Sequence, residues 1–120
     1  MAASRILIFL PTYNERENVE PMCRQLCALG VDADVLFLDD NSPDGTGQIL
    51  DGLAAEIEGV HVVHRTGKAG VGTAHQAGIR WAYEHGYERL VTLDCDFTHS
   101  PADIPAFLEL LGSHAAAVGG

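Results

Sequence analysis

Two aspartates one residue apart, Asp94 and Asp96 in the tripeptide Asp94-Cys95-Asp96, are the sharpest candidates for chemistry in this chain. At the end of a strand, a modest bend turns both carboxylates toward one ion. Hard oxygen ligands of this kind suit Mg²⁺ or Mn²⁺, which bridge one or two protein carboxylates to substrate phosphates. The same residues could instead cap the next turn and face water. A second acidic stretch, Asp39-Asp40-Asn41-Ser42-Pro43-Asp44-Gly45-Thr46, is largely turn chemistry. Its Asn, Ser and Asp side chains bond nearby backbone, Pro43 and Gly45 shape the bend, and Asp44 or Thr46 can cap a following helix. What turn chemistry leaves over is the pair Asp39-Asp40. Adjacent carboxylates ending a hydrophobic strand are costly unless a ligand uses them, and a carboxylate facing a nucleobase accepts from its ring N–H.

Two further segments could bind. Gly67-Lys68-Ala69-Gly70-Val71-Gly72 offers backbone N–H groups at a helix start, beside Arg65 and Lys68, which favours an anion. It is neither a P-loop nor the dinucleotide fingerprint: Ala69 follows Lys68, and His75 holds the third glycine position. A plain flexible connector is the alternative. Pro11-Thr12-Tyr13-Asn14-Glu15 sets a ring and a carboxylate at a strand tip, where Tyr13 can stack on a base or simply cover the sheet.

The elements that must position these loops alternate along the chain. Ile6–Leu10 is an apolar run ended by Pro11, as in a strand buried on both faces. Val19, Met22, Cys23, Leu26 and Leu29 then fall at helical spacing, from a start near Glu17–Asn18 to a stop at Gly30. Val35–Leu38, Val60–Val63 and Leu90–Leu93 read as further strands. Ile49, Leu50, Leu53 and Ile57 mark a second helix; Val71, Ala74, Gly78, Trp81 and Ala82 mark a third. Ile104, Phe107, Leu108 and Leu111 make a last helical stripe, and Ala115–Val118 a fifth strand. Alternation of this kind predicts right-handed βαβ units, a mainly parallel sheet between helical layers, and therefore an α/β three-layer sandwich. In such sheets ligands sit beyond the carboxyl ends of the strands, so all four polar loops are expected on one edge. The chain stops at Gly120, directly after the fifth strand, which reads as the first half of something longer.

Composition narrows the class of function. At 47% hydrophobic and 20% charged residues, the 120-residue chain is neither disordered nor low in complexity, and it has the length of one domain. The formal charge is −10, with 3 basic and 11 acidic groups in residues 1–60 against 4 and 6 in residues 61–120. That field argues against nucleic acid and anionic lipid as non-specific partners. A phosphorylated ligand would need an offset, for which a divalent cation is the obvious candidate. Cys23, Cys27 and Cys95 lack disulfide-scaffold spacing, which points to a reducing cytoplasm; Cys23 and Cys27 are expected to pack in the core rather than bind metal. No apolar run approaches the roughly 20 residues of a membrane span.

In order and together, PTYNERENV (11–19), DDNSPDGTG (39–47), KAGVGTAHQAG (68–78) and LDCDFTHSP (93–101) resemble the family-2 glycosyltransferases of the GT-A fold. The likeness is strongest to the dolichol- and polyprenol-phosphate mannose synthases. The resemblance implies an incomplete GT-A domain, with residues 1–120 forming the nucleotide-sugar-binding part. It implies a metal-dependent, inverting enzyme at the cytoplasmic face of a membrane that moves mannose from GDP-mannose to a polyprenyl or dolichyl phosphate. By position, Pro11, Tyr13 and Glu15 would line the nucleotide pocket, and Asp40 would read the base N–H with Asp39 beside it. Lys68, Gly70 and Gly72 would lie along the nucleotide. Asp94 and Asp96 would be the catalytic and metal-binding pair holding Mg²⁺ or Mn²⁺, with Cys95 between them pointing its side chain away from the ion. Thr98 stands where some relatives place a glutamine ligand, and is the candidate third contact. Two other readings keep the fold: a UDP-sugar transferase, such as one moving glucose to undecaprenyl phosphate, or a non-catalytic nucleotide-binding module paired with a separate acceptor-binding half.

Overall fold

The computed structural model describes residues 6–29, 33–66, 71–93 and 95, with Val71 and Gly72 described by their backbone alone. Four strands and three helices alternate: β1 (Ile6–Thr12), α1 (Val19–Ala28), β2 (Asp34–Asp39), α2 (Thr46–Glu56), β3 (Val60–His64), α3 (Val71–Glu84) and β4 (Arg89–Thr92). All strand pairs are parallel, in the order β3-β2-β1-β4. The expected helix over 104–111, the fifth strand and the stop at Gly30 lie outside the described residues.

The apolar runs form strands because both faces are covered. Ile8, Leu10, Val35 and Phe37 pack against Val19, Met22, Cys23 and Leu26 of α1 and Leu50 and Leu53 of α2. Leu7, Phe9, Leu36 and Leu38, one residue out of phase, meet Ala74 and Ala82 of α3 on the opposite face. The helical layer of α3 comes very close to the sheet. A Cβ added at Gly78 would lie 2.7 Å from the Phe9 ring, so glycine is what lets this helix settle on β1.

Strand β1 runs two residues past the expected end, through Pro11 to Thr12. A proline in a central strand normally breaks a ladder. Here the ladder to β4 pairs only Ile6 through Phe9, while Pro11 and Thr12 pair with β2 alone. By the alternation along β1, the missing Pro11 N–H falls on the β4 side, beyond that ladder. Thr12 is fixed instead by its side chain, whose Oγ1 donates to the Leu38 carbonyl at 3.0 Å. Cys23 is buried, as expected, and burial with the nearby Cys27 pushes its thiol up to about 12; Cys27 itself is exposed, contrary to expectation.

The order of the strands sets where a ligand can sit. From β1 the chain moves to β2 and β3 on one side, then returns through α3 to place β4 on the other. The strand order thus reverses between β1 and β4, and the crevice beyond the carboxyl ends of these strands is the topological switch point.

Candidate functional site

At the carboxyl edge, the tips of β1 and β2 are joined by two hydroxyl groups used in the same way. Ser42 Oγ accepts from the Asn14 N–H at 2.9 Å and donates to Asp39 Oδ1 at 2.6 Å. Thr46 Oγ1 accepts from the Glu15 N–H at 3.0 Å and donates to Asp44 Oδ1 at 2.5 Å. Each hydroxyl therefore carries a β1-tip amide on its lone pair and gives its proton to a carboxylate of the β2 loop. Asp44 Oδ2 also accepts from the Arg16 N–H at 3.3 Å. The Thr46 hydroxyl, then its amide and the Arg16 amide, hold the Asp44 carboxyl below its ordinary range. The N-cap of α2 is Gly45, in the left-handed region at φ 96°, rather than Asp44 or Thr46. Asn14 and Asn41 also sit in the left-handed region, at φ 56° and 57°, a conformation asparagine tolerates through local hydrogen bonding.

The adjacent aspartates are separated by the strand's own alternation. Asp39 continues the face of Val35 and Phe37, and Asp40 that of Leu36 and Leu38. Each finds partners within the chain. Arg65, one residue past β3, forks onto Asp40, with Nε to Oδ1 at 2.5 Å and Nη2 to Oδ2 at 2.8 Å. Its remaining nitrogen Nη1 donates to Thr73 Oγ1 in the first turn of α3 at 3.2 Å. Asp40 holds the guanidinium more firmly protonated, against the opposing effect of burial. Asp39 faces Ser42 and, at 3.5 Å, the Nδ1 of His64; His64 Nε2 lies 2.7 Å from Asp51 Oδ1 on α2.

Two expectations are corrected by this geometry. The cost of two neighbouring carboxylates does not require a ligand, because Arg65 meets one and Ser42 with His64 the other. Arg65, expected to favour an anion beside the glycine loop, instead directs its donors at Asp40 and Thr73. Of the remaining expected residues, Pro11, Tyr13 and Glu15 lie on the β1 tip. Tyr13 is exposed, and Glu15 Oε1 accepts from Asn18 Nδ2 at 2.8 Å. Cys95 is buried in the core with Val91 and Leu93. Gly72 belongs to the first turn of α3. Lys68, Gly70, Asp94, Asp96 and Thr98 lie outside the described residues. Among the described residues, no group of three or more His, Cys, Asp or Glu side chains could hold a metal ion.

Ser42, Thr46, His64 and Arg65 are the site residues whose roles sequence reasoning missed. Ser42 and Thr46 carried a local signal, since a hydroxyl two or three residues after an aspartate commonly bonds it across a turn. Arg65 and Asp40 are 25 residues apart, and nothing but the register of β2 with β3 brings them together.

A parallel sheet ordered 3-2-1-4 with helices on both faces and polar loops on its carboxyl edge defines a doubly wound α/β domain. The fold matches, with a TM-score of 0.79, a mannosyltransferase from Pyrobaculum calidifontis solved in complex with GDP-Man and Mn²⁺. That match is 22% identical and covers 94% of this chain and 34% of the other. The model of the glycosyl transferase family 2 matches residues 7–120, and the chain belongs to that family. It is 44% identical over 115 residues to an undecaprenyl-phosphate mannosyltransferase of Micrococcus luteus, covering 96% of this chain and 47% of that protein. It is 42% identical over 112 residues to a polyprenol monophosphomannose synthase of Mycolicibacterium smegmatis, covering 92% and 42% respectively. The chain thus spans less than half the length of these curated relatives. Among the described residues, no helix is long and apolar enough to cross a membrane.

Proposed function

We propose that residues 1–120 are the donor-binding part of a metal-dependent, inverting glycosyltransferase that moves mannose from GDP-mannose to a polyprenyl or dolichyl phosphate at a membrane surface. The observation that carries this reading is the Asp40–Arg65 pair at the end of β2. A carboxylate held in one plane by a guanidinium fork can present its edge to a ring N–H of a nucleobase, and it stands beside the loop bearing Tyr13 and Glu15. The sugar and the acceptor are taken from the names of the two bacterial relatives.

In this reading Pro11, Tyr13 and Glu15 line the nucleotide pocket, and Asp40 accepts from the base with Arg65 orienting it. Lys68, Gly70 and Gly72 follow the nucleotide. Asp94 and Asp96 hold Mg²⁺ or Mn²⁺, with Thr98 as a third ligand. When bound, the ion neutralises charge gathering on the departing nucleoside diphosphate. The attacking group is a lipid phosphate, whose second pKa of about 6 leaves it already ionised at neutrality. None of the six histidines is therefore needed as a strong base.

Calorimetric titration of the full chain with GDP and with UDP, each with Mn²⁺ and again with chelator, tests the reading. Binding that prefers GDP and weakens on chelation is the expected result. Asp40→Ala should weaken GDP even in chelator, whereas Asp96→Asn should remove only the response to metal. A UDP preference would overturn the assignment of the sugar donor, and absence of both nucleotides from a folded sample would overturn the donor site.

A further inference from the structure

We propose that Asp39 is a positioning residue for the donor site: it acts through Ser42 on the β1 tip and does not touch the donor. This rests on the reading that Tyr13 and Glu15 line the nucleotide pocket.

The Asp39 side chain is 4% exposed and lies on the α2 side of the sheet, across from Asp40. Its oxygens are directed inward. Oδ1 accepts from Ser42 Oγ at 2.6 Å, while Oδ2 accepts from the Ser42 N–H at 3.4 Å and faces His64 Nδ1 at 3.5 Å. Helix α2 closes the remaining side. A Cβ added at Gly47 would fall 2.9 Å from Asp39 Oδ2 and 3.1 Å from His64 Cε1, leaving no path for a ligand from that direction.

The consequence lies in the single proton of the Ser42 hydroxyl. Because Asp39 takes it, the oxygen must present a lone pair elsewhere, and the Asn14 N–H occupies that position at 2.9 Å. Asn14 is the left-handed residue between Tyr13 and Glu15, so its amide is the point from which the turn carrying both is held. Without the Asp39 carboxylate the hydroxyl is free to rotate and can offer Asn14 a proton instead of a lone pair. The β1 tip would then lose one of its crosslinks to the β2 loop, leaving those of Glu15 to Thr46 and Arg16 to Asp44.

The test uses the full chain, titrated with GDP in the presence of Mn²⁺, together with the amide resonance of Asn14. Asp39→Ala and Ser42→Ala should each raise the GDP Kd roughly tenfold, as expected for losing one charge-assisted hydrogen bond's worth of ordering. The double variant should bind no worse than the weaker single, because both substitutions break one path. Ser42→Thr keeps the hydroxyl and should stay within about twofold of the parent. The Asn14 amide proton should move upfield in both alanine variants and not in Ser42→Thr. If Asp39→Ala does not fold, the contrast of Ser42→Ala with Ser42→Thr decides alone. A double-variant loss equal to the product of the singles would show that Asp39 meets the donor independently, and overturns the proposal. So does parental affinity in Ser42→Ala. A parent that binds no GDP fails at the first titration and overturns the donor reading, and this proposal with it.

Discussion

The two ends of the sheet are built from different materials. At the carboxyl edge, short polar side chains cross between loops: Ser42 to Asn14, Thr46 to Glu15, Arg65 to Asp40. At the amino edge the closure is aromatic. His85 stacks on Trp81 with centroids 3.8 Å apart, Tyr87 lies 5.8 Å and His61 5.2 Å from the same ring, and the Tyr87 hydroxyl donates to Asp34 Oδ2 at 2.5 Å. Stacked rings gain area and contact without demanding one exact orientation, whereas charge-assisted hydrogen bonds fix direction. One end therefore serves chiefly to hold α3 on the sheet. The other holds loops at set angles to whatever enters the crevice.

Substitutions at the two ends should separate these roles. Trp81→Ala is expected to cost about 3 kcal/mol of stability, near the low end for an aromatic truncation because the ring is only partly buried. Affinity for GDP in the folded fraction should be unchanged. Arg65→Ala should cost about 2 kcal/mol, since it strands the buried Asp40 carboxylate without its fork, and it should weaken GDP binding at least as much as it weakens the fold. Urea unfolding paired with calorimetry measures both quantities. Equal losses of GDP affinity in the two variants would erase the distinction between the ends.

A finer version of the contrast lies within helix α2, where two glycines occupy different surroundings. Gly47 sits against Asp39 and His64, while a Cβ at Gly52 would meet nothing within 4 Å. Gly52→Ala should stabilise the protein by about 1 kcal/mol, the ordinary gain of alanine over glycine in a helix. Gly47→Ala should reverse the sign and cost about 1–3 kcal/mol, as overpacking does, because the buried carboxylate has nowhere to retreat. Thermal unfolding of the two variants side by side checks the prediction. A stabilising Gly47→Ala would mean that the Asp39 cluster is looser than its contacts indicate.

How far the sequence could be read follows the range of the interactions involved. Ile6–Leu10, Val35–Leu38 and Val60–Val63 announce buried strands because a continuous apolar run has few other uses, and each lies within an observed strand. The stripe Val19, Met22, Cys23, Leu26 is likewise local and packs as spaced. The carboxyl-edge location of the loops then follows from parallel topology alone. The period of two along β2 even foretells that Asp39 and Asp40 diverge, though adjacency in the sequence invites treating them as a pair. What could not be read are contacts that depend on strand register. Ser42 meets Asn14 across 28 positions and Arg65 meets Asp40 across 25. Pro11 misled for the same reason: its strand-ending character is real in an ordinary central strand, and only the short ladder to β4 makes it harmless.

His64 offers the smallest effect and the most selective probe of the carboxyl edge. Its imidazole lies between Asp51, at 2.7 Å, and Asp39, at 3.5 Å, and Asp51 above all raises its pKa from the ordinary value, with Asp39 adding to it against burial. A raised pKa means that the folded state binds the proton more tightly than the unfolded chain does. The stabilisation is then fully present below the unfolded value of about 6.5 and is lost as pH rises through the higher folded value. Comparing the parent with His64→Gln, the stability difference should be larger at about pH 5.5 than at about pH 8.5, where the parent's imidazole has lost its charge. The ring is nearly half exposed, so solvent screening keeps the change small, and the midpoint of urea unfolding is a suitable measure. Asp51→Asn should lower the His64 titration followed by its Cε1 proton, while leaving the Ser42–Asn14 crosslink in place. A pH-independent difference would mean that the imidazole contributes packing alone at this edge, and that Asp39 is held by Ser42 without help from charge.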